Sequence, residues 1–122
     1  MQLGFVSAIL SDFTLEQVFH FAAEAGFSSV ELMCWPRGKA ERKFAGVTHL
    51  DASRFGPDGV KRGRDQVALH GVSISGLGYY PNPLSPVAEE AELASAHLHL
   101  LIDAAADLGV NLVNSFAGRD PA

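Results

Sequence analysis

Six side chains in this sequence have the chemistry to meet a small polar ligand: Glu31, Trp35, His49, Tyr80, Asn82 and Asn114. Trp35 is the only tryptophan, and a large aromatic at the end of a strand can stack on the apolar face of a sugar or lid the structure beneath it. His49 is a titratable group near neutral pH, able to act as base, hydrogen-bond partner or ligand; a structural hydrogen bond in a loop is its alternative use. His49-x-Asp51 is too short a pattern to define a metal site. Tyr80 and Asn82 lie in Leu77-Gly78-Tyr79-Tyr80-Pro81-Asn82-Pro83-Leu84. Its prolines would preorganise a hydroxyl and an amide toward a polyol, or simply shape a turn into the next helix. Glu31 interrupts the apolar run Ser29-Val30-Glu31-Leu32-Met33. A carboxylate there needs a basic or hydrogen-bonding partner, or contact with water and substrate, because an unpaired buried charge is costly.

Other groups offer less. His97 and His99 are two apart on one helical pattern, so they point to opposite sides and cannot share a metal. His20 and His70 also fall on helical patterns and read as packing or surface residues. Cys34 has no activating base nearby in sequence and is expected to be a buried thiol. No phosphate-binding glycine loop and no nucleophile elbow occurs. The sequence therefore yields candidate binding residues and no complete catalytic set.

The elements that must position these residues alternate in type. Leu3–Val6 reads as a strand, and Leu15, Val18, Phe19, Ala22 and Ala23 recur at helical spacing. Thr14 with Gln17 predicts a capping box, and Gly26 a left-handed stop. Ser29–Met33 reads as the second strand, Cys34–Gly56 as a long loop, and Asp58–His70 as a helix ending at Gly71. The third strand is expected over Val72–Ser75, and 76–86 as a loop with three prolines. A long helix is expected from Ser85-Pro86, with a stripe of Ala94, His97, Leu98, Leu101, Ile102, Ala105 and Leu108, stopping at Gly109. Val110–Phe116 reads as the fourth strand.

This β-α-β-α-β-α-β order predicts parallel strands with helical crossovers. Val30, Leu32, Val72 and Ile74 should face the helices, leaving Ser29, Glu31, Ser73 and Ser75 on an inner face. A polar inner face suits half of a parallel (β/α) barrel of TIM type. Ligand sites in such barrels lie at the C-terminal ends of the strands. That puts Ser7–Phe13, Cys34–Gly56, Leu77–Leu84 and Ser115–Pro121 at the mouth.

Composition agrees. The 122 residues are 48% apolar and 19% charged, with net charge −5 and one cysteine. An acidic chain disfavours nucleic acid as partner, the lone cysteine excludes an intrachain disulfide, and no apolar run spans a bilayer. With no signal-peptide pattern after Met1-Gln2-Leu3, the expected setting is the cytoplasm.

Gly4-Phe5-Val6-Ser7, Val30-Glu31-Leu32-Met33-Cys34-Trp35-Pro36, Gly46-Val47-Thr48-His49, Leu77–Leu84 and Leu108-Gly109-Val110-Asn111 resemble the sugar phosphate isomerase/epimerase family. It belongs to the xylose-isomerase-like TIM-barrel superfamily, which also contains the endonuclease IV group. The resemblance implies a metal-dependent isomerase or epimerase acting on a sugar or sugar phosphate through an enediolate. It implies a divalent metal, Mn²⁺ or Mg²⁺, whose ligands come from later strands and cannot be mapped onto residues 1–122. The chain would supply the substrate wall: Trp35 stacking, with Glu31, His49, Tyr80, Asn82 and Asn114 as polar contacts.

An abasic-site nuclease related to endonuclease IV is an alternative expectation, although such relatives need zinc-binding histidines after strands three and four, where this chain has Tyr79-Tyr80 and Asn114-Ser115. A whole barrel takes about 250 residues. The expectation is therefore an N-terminal half belonging to a longer protein and inactive by itself, or a non-enzymatic half-barrel that pairs with a second copy or a partner chain.

Overall fold

The computed structural model describes residues 1–38 and 45–120; residues 39–44 of the long loop, within the expected mouth, lie outside the described residues. Four strands form one sheet, β1 (Gly4–Val6), β2 (Ser29–Met33), β3 (Ser73–Gly78) and β4 (Val113–Asn114), in the order β1-β2-β3-β4. Every pairing is parallel. The connections carry α1 (Leu15–Glu24), α2 (Pro57–His70) and α3 (Ala88–Leu108). The architecture is the α/β half-barrel that the alternation predicts.

Local chemistry sets the helix ends. At α1 the capping box forms in full: Gln17 N–H donates to Thr14 Oγ1 at 3.2 Å, and Thr14 N–H to Gln17 Oε1 at 2.8 Å. Gly71 and Gly109 adopt left-handed conformations behind α2 and α3. The start of α3 differs from expectation. It begins at Ala88 without a side-chain cap; Ser85 instead accepts Val87 N–H at 3.2 Å and donates to Glu90 at 2.6 Å. The serine braces the entry turn from outside the helix.

The core lies between one sheet face and the helices. Val30, Leu32, Val72 and Leu77 pack there against Val18, Phe19, Leu101, Ala105 and Leu108. Complete burial of a side chain such as Phe19 or Leu101 stabilises by roughly 1.5–3 kcal/mol. Ile102 is 54% exposed and Ala104 takes its expected place in the core. Small residues set the spacing between α2 and α3: a Cβ at Gly63 would lie 2.9 Å from Leu108 Cδ2.

Strand β3 is longer than expected, and the reason is a bulge. Val30 pairs with Ile74 but Glu31 pairs with Gly76, so Ser75 is the extra residue. The bulge turns Leu77 toward the helices and Gly76 and Gly78 toward the inner face. Gly76-Leu77-Gly78 is thus strand and not loop, and Ser75 does not hold the inner position expected for it. Strand β4, by contrast, contracts to two residues. Gly78 has a packing reason to be glycine: a Cβ there would lie 2.5 Å from Glu31 Oε1, and closer still to the Met33 methyl. Gly78→Ala should destabilise by about 1–2 kcal/mol, seen as a lower urea midpoint at unchanged slope; an unchanged midpoint would contradict this packing.

Candidate functional site

The inner face carries a hydrogen-bonded cluster contributed by three strands. Glu31, on β2, accepts from Asn114 Nδ2 on β4 at 2.8 Å through Oε2. Its Oε1 accepts the hydroxyl of Tyr80, which follows β3. Glu31 reaches both partners because Gly76 and Gly78 leave the surface of β3 bare. A Cβ at Gly76 would lie 3.1 Å from Asn114 Nδ2. Burial, and then the neighbouring carboxylate, push the Tyr80 hydroxyl upward, so it stays a proton donor through the neutral range. Phe116, 61% exposed, lies beside Tyr80 with ring centroids 5.2 Å apart. The cluster sits at the C-terminal ends of β2, β3 and β4, where a ligand meets a parallel barrel.

Three of the six expected residues therefore come together, and three do not. His49 is buried, with both ring nitrogens in use. Nε2–H donates to the Leu10 carbonyl at 3.0 Å, which leaves Nδ1 to accept from Ser7 Oγ at 2.7 Å. Ser7 Oγ also accepts Met33 N–H at 2.9 Å. His49 thus ties the β2 loop to the ends of β1 and β2, the structural alternative of its two expected uses. Trp35 packs edge-on against Tyr79 at 5.1 Å, and its indole nitrogen is buried without a hydrogen-bond partner among the described residues. Its body packs against the core, which matches the lid among its two expected uses and not an exposed stacking platform. Asn82 spends its amide on backbone: Nδ2 donates to Arg119 O at 2.7 Å, and Oδ1 accepts Arg119 N–H at 2.8 Å and Leu84 N–H at 3.1 Å.

The remaining groups are structural. Cys34 is buried, and desolvation pushes its thiol well up, so it is no nucleophile. His97 Nε2–H donates to the Cys34 carbonyl at 2.6 Å, with its ring against Tyr79. Ser7, Gly76, Gly78 and Phe116 escaped the sequence reading as site residues. The two glycines, spaced at strand period, were the available signal, but glycine also marks loops.

Among the described residues no three His, Cys, Asp or Glu side chains come together to hold a metal ion. Glu31, the carboxylate of this cluster, has both oxygens committed. The donor set of this cluster does not fit a divalent metal.

The family model for the xylose isomerase-like TIM barrel matches residues 19–122. The chain belongs to that family. A comparison with curated proteins returned no match. Among the described residues no helix is long and apolar enough to cross a membrane.

Burial holds the His49 imidazole below its usual titration range. The unfolded chain, titrating near 6.5, then binds the proton more readily than the folded one. His49's contribution is complete above that pH and declines as pH falls toward the lower folded value. Urea midpoints should fall from pH 7.5 to 5.0, with a shallower fall in His49→Gln; equal slopes would contradict the buried neutral imidazole.

Proposed function

We propose that this chain provides the substrate-binding wall of a sugar or sugar-phosphate isomerase or epimerase. The observation that carries the reading is the Glu31–Tyr80–Asn114 cluster at the C-terminal strand ends of a xylose isomerase-like barrel. A carboxylate bracketed by a phenol and an amide offers acceptors and donors in a preset arrangement, as a row of sugar hydroxyls requires. Phe116, exposed beside Tyr80, supplies the apolar surface for a sugar's C–H face in the place first expected of Trp35. The reaction class, proton transfer next to a carbonyl, comes from the family resemblance, as do Mn²⁺ or Mg²⁺ as the metal. Its ligands would have to be residues other than the described ones. The lone buried thiol suits a reducing cytoplasm.

The test is titration of the chain with D-xylulose, D-fructose and D-ribulose, followed by amide chemical shifts. At least one ketose should shift resonances at the ends of β2, β3 and β4. Glu31→Gln and Tyr80→Phe should each weaken it by roughly tenfold, the worth of a hydrogen bond to a charged group. Absence of ketose binding, or variants that bind like wild type, would refute the reading. Solvent-deuterium incorporation next to the ketose carbonyl with Mn²⁺ present tests the reaction class.

A second reading has its own observation. Neither β1 nor β4 has a second neighbouring strand among the described residues, and Leu3, Val6, Leu112 and Phe116 are exposed along them. Open edges of this kind invite strand pairing, and two copies of four strands would close a barrel. Sedimentation at micromolar concentration should then report a dimer; a monomer would remove this reading.

A further inference from the structure

Donors and acceptors are out of balance in the Glu31–Tyr80–Asn114 cluster. Tyr80 has one donor, its hydroxyl, and spends it on Glu31 Oε1. Asn114 turns Nδ2 toward Glu31 Oε2, at 2.8 Å, as it must because an ionised carboxylate only accepts. The cluster keeps a single unspent donor, the second N–H of the Asn114 amide. Its acceptors are mostly open. Each Glu31 oxygen carries one donor and keeps a further lone-pair direction, and the Tyr80 oxygen can still accept. Asn114 Oδ1 makes no hydrogen bond among the described residues.

Charge points the same way. Both partners of Glu31 are neutral, and among the described residues no ion pair involves it. Arg37, Lys61 and Arg62 pair instead with Asp51, Asp65 and Glu16. The field of the carboxylate reaches its surroundings: after burial, it helps push both the Tyr80 hydroxyl and the Cys34 thiol upward. Two neutral hydrogen bonds satisfy the Glu31 oxygens in part but supply no counter-charge. The third feature is aromatic. Phe116 is 61% exposed, and its ring lies 5.2 Å from that of Tyr80 at an angle of 54°. Aromatic faces beside a carboxylate are well suited to hold an ammonium group.

We propose that Glu31, with Tyr80, Asn114 and Phe116, forms an ammonium-binding subsite, so that this wall takes amino sugars ahead of neutral ones and repels phosphorylated ones. The ammonium donates to the open lone pairs of Glu31 and to Asn114 Oδ1, with Phe116 against its flank. A phosphate in the same place meets the Glu31 charge and one N–H, a mismatch that selects against it. This inference rests on the sugar-site reading above and names its substrate class.

The test titrates the chain with D-fructose, 1-amino-1-deoxy-D-fructose, D-fructose 1-phosphate and the same two substitutions at C6, followed by amide resonances. Methylammonium alone is a further probe. At least one amino sugar should bind roughly tenfold tighter than D-fructose, shifting the Asn114 side-chain amide, and both phosphates should bind more weakly. Glu31→Gln should bring the amino sugar and D-fructose within about twofold of each other, because an acceptor remains but the charge does not. Phe116→Leu should cost the amino sugar roughly two- to fivefold. Unchanged amide resonances along α3 certify that the variants keep their fold, and the wild-type ranking tests the proposal even where a variant does not fold. D-fructose binding with no gain from the ammonium, or a gain that survives Glu31→Gln, would overturn the proposal and leave the sugar reading standing. A phosphorylated sugar that binds tighter than D-fructose would overturn it as well. Methylammonium binding that needs Glu31, without binding of D-fructose, would instead sink the neutral-sugar reading and leave the ammonium subsite standing. Absence of binding by every probe would overturn both.

Discussion

A carboxylate on the inner face of a parallel sheet must be met by donors, and much of the arrangement here follows from how Glu31 meets its own. One partner, Tyr80, follows β3 and the other, Asn114, lies on β4, so the side chain has to cross β3. Crossing is possible only where β3 presents no side chains, and the bulge at Ser75 brings Gly76 and Gly78 to those positions. The same one-residue shift delivers Leu77 to the core, so the polar cluster and the hydrophobic layer depend on a single irregularity in register.

Around that cluster, other polar groups keep the loops in place. Ser7 and His49 bind the first loop to the second beside the C-terminal end of β2. Asn82 does the same for the third and fourth. These bonds are satisfied within the protein, which removes His49 and Asn82 as ready ligands but makes the loops one surface. Pre-ordering of this kind lowers the entropy lost on binding. The result is a wall of fixed shape in which Glu31, Tyr80, Asn114 and Phe116 face outward from the helices.

Much of the fold was legible because it rests on local rules. The Thr14–Gln17 pair and the glycines at 71 and 109 carry their meaning in sequence, and Val30 and Leu32 declare the helix-facing side by alternation. The bulge was not legible. Glycine in a strand and glycine in a loop look alike, and only contact with Glu31 and Met33 distinguishes them. The site was legible by half for a related reason. Residue type told which side chains could bind a sugar, but whether His49, Trp35 and Asn82 are free to do so depends on Ser7, Tyr79 and Arg119, partners up to 44 positions away that no spacing reveals.

We propose that the bridged Glu31 carboxylate forms the floor of a sugar site at the strand ends. A crystal structure of the protein with D-xylulose bound tests it most directly. Sugar oxygens should then lie within about 3.2 Å of Glu31, Tyr80 or Asn114, with Glu31 still lying across Gly78. Sugar density elsewhere on the molecule, or a Glu31 side chain turned away from both partners, would contradict it.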